Sequence, residues 1–160
     1  MPILYTYCTS IIVPLLRRVS MREVPVNLWF ILLAAVAQMV VGFLWYSPLL
    51  FGNLWMKLMG HTKASLEKAK QDMARTYGLS FVSALVMAYV LRHASVFAAE
   101  YFGQQGISVG LSTAFWMWLG FVMPVQFTAV LFNKEPYKLF LLNTGFQLAG
   151  LLAMGVVVTL

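Results

Sequence analysis

The sequence is poor in charge, in acidic residues above all, and in cysteine. Of its 160 residues 10% are charged, five of them Asp or Glu, whereas 61% are hydrophobic. An average soluble domain has about 25% charged residues, and a soluble fold of this size could not bury so much apolar surface. Cys8 is the single cysteine, so an internal disulfide is excluded and the redox compartment stays open. The composition indicates a membrane protein.

The same scarcity argues against catalysis. The two histidines, His61 and His93, are predicted to lie on opposite sides of the membrane, and no Cys/His/carboxylate cluster has metal-ligand spacing. Phosphate-binding glycine loops, nucleophile elbows and paired carboxylates are lacking. Proton-coupled transporters usually carry an acid deep in a span, and none is found here. We expect no enzyme activity, no metal and no cofactor.

Four apolar runs are long enough to cross a membrane, which takes about 20 residues. Their predicted limits are residues 26–46, 77–99, 108–132 and 139–160. In the second run, either Arg92 snorkels to the interface or the helix continues with Arg92 and His93 immersed. We favour snorkelling, because an arginine at a helix centre costs roughly 2.5–3.5 kcal/mol. The predicted fold is all-α, a four-helix transmembrane bundle, with residues 21–160 as its single domain.

Basic residues orient this bundle. The net charge is +6, and the basic residues lie in short connectors, which suits an anionic membrane surface better than nucleic acid. The positive-inside rule compares the numbers of basic residues on the two sides of the membrane. One side has seven: Lys57, Lys63, Lys68, Lys70, Arg75, Lys134 and Lys138. The other side has four: Arg17, Arg18, Arg22 and Arg92. The rule predicts a multi-pass protein of the cell (inner) membrane with both termini outside. Residues 1–20 lack a signal-peptide pattern and form an N-terminal extension outside the core domain.

The run LWYSPLLFGNLWMKLMG predicts a change of direction after the first span. Pro48 ends the helix, and Asn53, Lys57 and His61 then recur every four residues as a narrow polar stripe. This pattern predicts a short interfacial helix, followed by a polar cytoplasmic helix, within residues 49–74. The predicted interfacial anchors are Trp45, Tyr46, Trp55, Lys57 and Arg92.

These motifs also carry a family resemblance. LWYSPLLFG followed by WMKLMG, together with the connector FNKEPYKLFLLNTGFQL, resembles a bacterial integral membrane family catalogued as domain of unknown function family 1761. The resemblance runs from about Asn27 to the C-terminus and leaves residues 1–20 outside. It implies a small integral membrane protein with about four helices, and it implies no activity, substrate or catalytic residue.

Polar side chains inside the spans are the candidate functional residues. Span positions place them in one layer, in the half of the membrane nearest the interfacial helix: Gln38, Ser83, Gln126, Asn143 and Gln147. Amides that face lipid are costly, so these should point inward. They are interpreted either as interhelical hydrogen bonds or as the lining of a small-ligand pocket. Pro124 predicts a kink in the third span.

Two functions remain open. The first is a non-enzymatic membrane protein that acts through lipid or partner contacts, with the bilayer as its partner and a second copy or another membrane protein as further options. The alternative is a facilitator or binder of a small neutral or amphiphilic solute. An intramembrane enzyme ranks third, because no catalytic constellation is found. Arg92 and His93, with Glu100 nearby, are interpreted either as an anion or proton site or, as we favour, as an interfacial anchor.

Overall fold

The structure, a computed structural model, describes residue 24, residues 26–60 and residues 72–160. Within these residues it contains helices and turns only. The helices are α1 Leu28–Trp45, α2 Gly52–Leu58, α3 Met73–Phe102, α4 Ile107–Met117, α5 Met123–Asn133 and α6 Tyr137–Val158. The predicted N-terminal extension, His61 and most of the predicted cytoplasmic helix lie outside the described residues.

Four helical segments are long and apolar enough to cross a membrane: α1, α3, the continuous stretch Ile107–Asn133, and α6. The predicted all-α fold with four such helices is confirmed. Asn27 begins α1, where its side-chain oxygen accepts the Trp29 N–H at 3.0 Å. The end of the molecule that carries α2 is called the α2 side, and the end that carries residues 103–106 is called the opposite side.

The third span is interrupted by a π-helical turn, Trp118–Val122, which joins α4 to α5. Pro124 follows in the first turn of α5. A proline has no N–H to donate, and its ring clashes with the carbonyl four residues earlier. A local π-helical adjustment is one of the ways in which a transmembrane helix satisfies the backbone groups that a proline frees, and π-helix occurs mostly as such single turns. The predicted kink at Pro124 therefore takes the form of a π-helical turn.

The second span is longer than its predicted limits, because α3 begins at Met73 and continues to Phe102. Both Arg75 and Arg92 lie inside the helix. The predicted snorkelling of Arg92 to the interface stays a prediction. Its side chain is half-buried, and its Nη1 donates to the Val158 carbonyl at 2.7 Å. Since the last carbonyls of a helix lack partners within the helix, this bond caps the end of α6.

Helix α6 occupies the centre of the bundle and packs against every other described helix. A cluster of buried apolar side chains lies in the half nearest the opposite side and consists of Ile31, Ala34, Ala88, Leu91, Ala114, Leu151, Met154 and Val158. Small residues at the contact points let the helices approach closely, as is common in membrane bundles. On α3, Ala84 and Ala88 are buried, whereas Ser80, one turn earlier, is exposed.

A close approach of backbone to backbone joins α4 to α6 through two glycines. A Cβ on Gly155 would lie 2.5 Å from the carbonyl oxygen of Gly110, and a Cβ on Gly110 would meet the carbonyl oxygen of Gly155 still more closely. Each helix therefore presents bare backbone to the other. The sequence analysis singled out neither glycine.

Candidate functional site: the α1–α2 turn and the polar layer

The chain leaves α1 through a tight turn built by LWYSPLLFG. The Ser47 carbonyl accepts hydrogen bonds from the backbone N–H groups of Leu50, at 3.1 Å, and Gly52, at 2.9 Å. Pro48 suits the second position of such a turn, because its ring fixes φ there and no N–H is needed. A Cβ on Gly52 would meet the carbonyl oxygen of Tyr46 and lie 2.8 Å from that of Ser47. The turn therefore requires glycine at this position.

Aromatic rings fix α2 to the end of α1. The rings of Trp45 and Phe51 have centroids 4.7 Å apart, and Trp55 meets Tyr46 edge-on at 5.6 Å. Such pairs add about 0.5–1.5 kcal/mol each beyond the area that they bury. Lys57 stays exposed, and Trp55 is half-buried. Contact of Phe51 and Trp55 with acyl chains stays a prediction.

The same turn is tied to the first half of α6. Tyr46 Oη donates to Asn143 Oδ1 at 3.0 Å, and its ring meets Phe146 edge-on at 5.2 Å. Trp45 lies against Gly145, where an added Cβ would be 3.2 Å from the indole. The two sequence motifs, LWYSPLLFG and NTGFQL, thus contact each other. Their spacing along the chain gave no sign of this contact.

A second polar group joins α6 to the third span. Thr144 Oγ1 donates to Gln126 Oε1 at 2.9 Å, and the indole N–H of Trp118 donates to the Thr144 carbonyl at 2.9 Å. Trp118 is the first residue of the π-helical turn. Neither Thr144 nor Trp118 was a candidate from the sequence, since one threonine or tryptophan in an apolar run is not informative. Because Asn143 and Thr144 are adjacent in α6, hydrogen bonds join this helix both to the end of α1 and to the third span.

The other predicted members of the layer are not joined to these groups. Gln38 is 7% exposed and packs against Gly150, and its Oε1 has no hydrogen-bond partner among the described residues. The side chain of Gln147 is half-buried, and no side-chain hydrogen bond joins it to the described residues. Ser83 is not part of the layer: its side chain is exposed and donates to the Leu79 carbonyl of its own helix at 3.0 Å. Of the predicted layer, Asn143 and Gln126 therefore each belong to a hydrogen-bonded group, Gln38 is a packed amide, and Gln147 stands apart from both.

The predicted anchors Trp45 and Arg92 contact the bundle. The indole nitrogen of Trp45 is buried without a partner in the described residues, and the role of Trp45 as an interfacial anchor stays a prediction. Near Arg92, the His93 ring stacks on Tyr89 and its Nδ1 lies 2.9 Å from the Tyr89 carbonyl. Glu100 is exposed. No group of three metal-ligating side chains occurs among the residues that the structure describes.

Two of the cavities formed by the described residues can be compared with the predicted layer, and none of its residues lines either of them. One, of about 470 Å³, lies between α3 and α4 and includes Ala98 and Thr113. The other, of about 360 Å³, lies beside Arg92 and the end of α6. Both are nearer the opposite side than the α2 side. Whether the amides serve helix packing or line a ligand pocket stays a prediction.

Comparison with known proteins places the chain in one family. The model of a family described as "Protein of unknown function (DUF1761)" matches residues 29–159. No curated protein and no solved structure matches the chain. The match includes both motifs that meet at the α1–α2 turn and leaves the predicted N-terminal extension outside.

Proposed function

The chain belongs to the DUF1761 family of proteins of unknown function, and on this premise we propose that it is a non-enzymatic, multi-pass protein of a bacterial cell membrane. It acts by binding anionic membrane lipid at the α2 side. A single observation carries the proposal, which is the fixed position of α2 at the end of the first span. The Gly52 turn and the rings of Trp45 and Tyr46 hold this helix against the bundle.

The surface around α2 has the composition that an interfacial helix needs. Leu49, Leu50 and Leu54 are exposed, and Asn53 and Lys57 lie exposed beside them. Apolar side chains at the level where a span ends are stabilised by the acyl-chain boundary, whereas a lysine next to them reaches the headgroups. The helix is therefore suited to lie in the plane of the membrane.

Charge at the α2 side favours anionic headgroups. The described residues there include four basic side chains and two acidic ones: Lys57, Arg75, Lys134 and Lys138 against Asp72 and Glu135. Basic residues next to an anionic leaflet contribute about 1 kcal/mol each. Lys57 is the basic residue carried on α2 itself, so it is the one that the fixed helix positions.

Thermal unfolding in lipid nanodiscs tests the proposal. Anionic phospholipid should raise the unfolding temperature relative to zwitterionic lipid alone, and added salt should weaken the effect. Lys57→Gln should remove most of this rise, whereas Lys138→Gln, a matched exposed lysine on the same side, should keep most of it. Equal losses in the two variants would mean diffuse attraction to the membrane and would contradict a site at α2.

The orientation with both termini outside is part of the proposal. It is supported by the excess of basic residues at the α2 side. Single cysteines at Gln105 and at Lys134, in a chain with Cys8→Ser, can be labelled with an impermeant reagent on intact cells. Position 105 should react and position 134 should not. Labelling at position 134 and not at position 105 would mean that the orientation is the opposite of the one proposed.

The amide layer supports a non-enzymatic role. Asn143 accepts a hydrogen bond from Tyr46 at the end of α1, and Gln126 accepts one from Thr144 of α6. These two amide oxygens therefore already have protein partners, whereas the Oε1 of Gln38 has none among the described residues. Interhelical hydrogen bonds of this kind stabilise membrane bundles by about 0.6 kcal/mol on average.

A further inference from the structure

The cavity beside Arg92 lies at the opposite side, where α1 begins and α6 ends. It has a volume of about 360 Å³, and Phe30 of α1, Arg92 of α3 and Val158 of α6 are among the residues that line it. Val26, which precedes α1, lines it as well. The chain therefore passes along this cavity just before the first span begins, and residues 1–23 all precede that point in the sequence.

Arg92 gives this cavity its chemical character. It is the charged member of the lining among the residues that the structure describes, and it is half-buried, whereas Phe30, Ile31 and Leu160 form apolar walls. Its bond to the Val158 carbonyl engages one of the five N–H groups of a guanidinium. The guanidinium fork fits both oxygens of a carboxylate, and a charge in apolar surroundings is stabilised by a partner of opposite sign. The cavity is therefore suited to a carboxylate.

The chain has five acidic residues, and their positions favour one of them as the source of this carboxylate. Three belong to the connectors at the α2 side: Glu67, Asp72 and Glu135. Glu100 follows Arg92 by eight residues on α3, which is roughly 12 Å along the helix at 1.5 Å per residue, and its side chain is exposed. Glu23 is the acidic residue that remains, and it lies in the segment that leads to the cavity.

The length of chain between Glu23 and the cavity is short. Glu23 precedes Val26, which lines the cavity, by three positions. Three residues of extended chain span at most roughly 10 Å at 3.3–3.6 Å per residue. A chain that turns back from Val26 toward the end of α6 therefore keeps the Glu23 carboxylate within reach of the Arg92 guanidinium.

We propose that the chain's own residues 21–23 cover this cavity and that the Glu23 carboxylate accepts hydrogen bonds from the Arg92 guanidinium. The pair neutralises an arginine at the level where the first span begins and the last span ends, and it fixes the entry of the chain into α1. The folded domain then includes residues that precede the family match, which begins at residue 29. The pair goes beyond the proposed function, because it lies at the opposite side and involves no lipid.

A double-mutant cycle in the full chain tests this pair, with the unfolding temperature in nanodiscs of zwitterionic lipid as the measurement. Glu23→Gln should lower this temperature by a few degrees, and Arg92→Gln should lower it at least as much. In the Arg92→Gln background, Glu23→Gln should cause no further drop, because its partner is already absent. Glu100→Gln, at an exposed glutamate of α3, is the matched control and should leave the temperature unchanged.

Glu23→Asp provides a second variant, which keeps the carboxylate and leaves Arg92 unchanged. It should retain most of the wild-type unfolding temperature, so the comparison with Glu23→Gln stands even where Arg92→Gln does not fold. An unfolding temperature that Glu23→Gln does not change, or that Glu23→Gln and Glu100→Gln lower equally, would overturn the proposal. So would a rise of the wild-type temperature on addition of inorganic phosphate, which would mean that the cavity is open to a free anion or a lipid phosphate.

Discussion

Replacing Gly155 by alanine should weaken the contact between α4 and α6. The added Cβ would lie 2.5 Å from the Gly110 carbonyl oxygen, whereas ordinary van der Waals contact begins at 3.4 Å. The two helices would therefore have to separate locally by about 0.9 Å. They cannot yield through a flexible side chain, because the atom that the Cβ meets belongs to the backbone of Gly110.

The cost follows from the packing around this crossing. Ala114 and Met154 are fully buried beside it, and a gap of about 0.5–1 Å forfeits a quarter to a half of the dispersion energy of each contact that it opens. Overpacking of a well-packed interior costs typically 1–3 kcal/mol. Alanine offsets part of this cost, since it is roughly 0.5–1 kcal/mol better than glycine inside a helix. We expect a net destabilisation of about 0.5–2 kcal/mol.

Reversible unfolding in mixed micelles measures this free energy, and Gly78→Ala is the matched control. Gly78 also lies inside a helix, α3, and a Cβ added there would meet nothing within 4 Å. That variant should be neutral or slightly more stable than the wild type. If Gly155→Ala were as stable as Gly78→Ala, the backbone contact between α4 and α6 would be refuted.

Three further predictions concern the turn and the polar layer. A double-mutant cycle of Tyr46→Phe and Asn143→Leu should give a coupling of about 0.6 kcal/mol, and at most about 1.7, in the free energy of unfolding; a coupling of zero would mean that their hydrogen bond is absent. Gly52→Ala should cost about 1–3 kcal/mol in the same measurement, because a Cβ cannot fit beside two carbonyl oxygens; an unchanged stability would contradict the turn. Gln126→Leu should cost about 1 kcal/mol through the lost partner of a buried hydroxyl, whereas Gln147→Leu should change stability by less than about 0.5 kcal/mol; the opposite order would contradict the assigned hydrogen bonds.

Hydropathy predicted the four long helices because lipid imposes a simple requirement on each span. The turn after the first span was predicted for a similar reason, since the Ser47–Pro48 pair has few conformations available. In both cases the deciding physics is local to the segment. Neither prediction requires knowing which helices pack against each other.

The contacts between helices could not be predicted in this way. The amide of Gln126 has an evident need for a partner, but the sequence does not say that Thr144 is that partner. Gly110 and Gly155 are important for packing only because α4 and α6 cross where both glycines lie. Arg92 donates to the carbonyl of Val158 at the end of α6, a contact that its place in the second span did not indicate. Each of these outcomes depends on the arrangement of helices around α6, which a single sequence does not encode in any local pattern.

Lipid retained by the purified protein tests the central claim, binding of anionic lipid at the α2 side, most directly. The wild type is released from nanodiscs that contain equal amounts of anionic and zwitterionic phospholipid, and the bound lipid is identified by native mass spectrometry. The account predicts a preference for the anionic lipid in the wild type and in Lys138→Gln, and its loss in Lys57→Gln. Retention without preference, or the same preference in all three proteins, would contradict it.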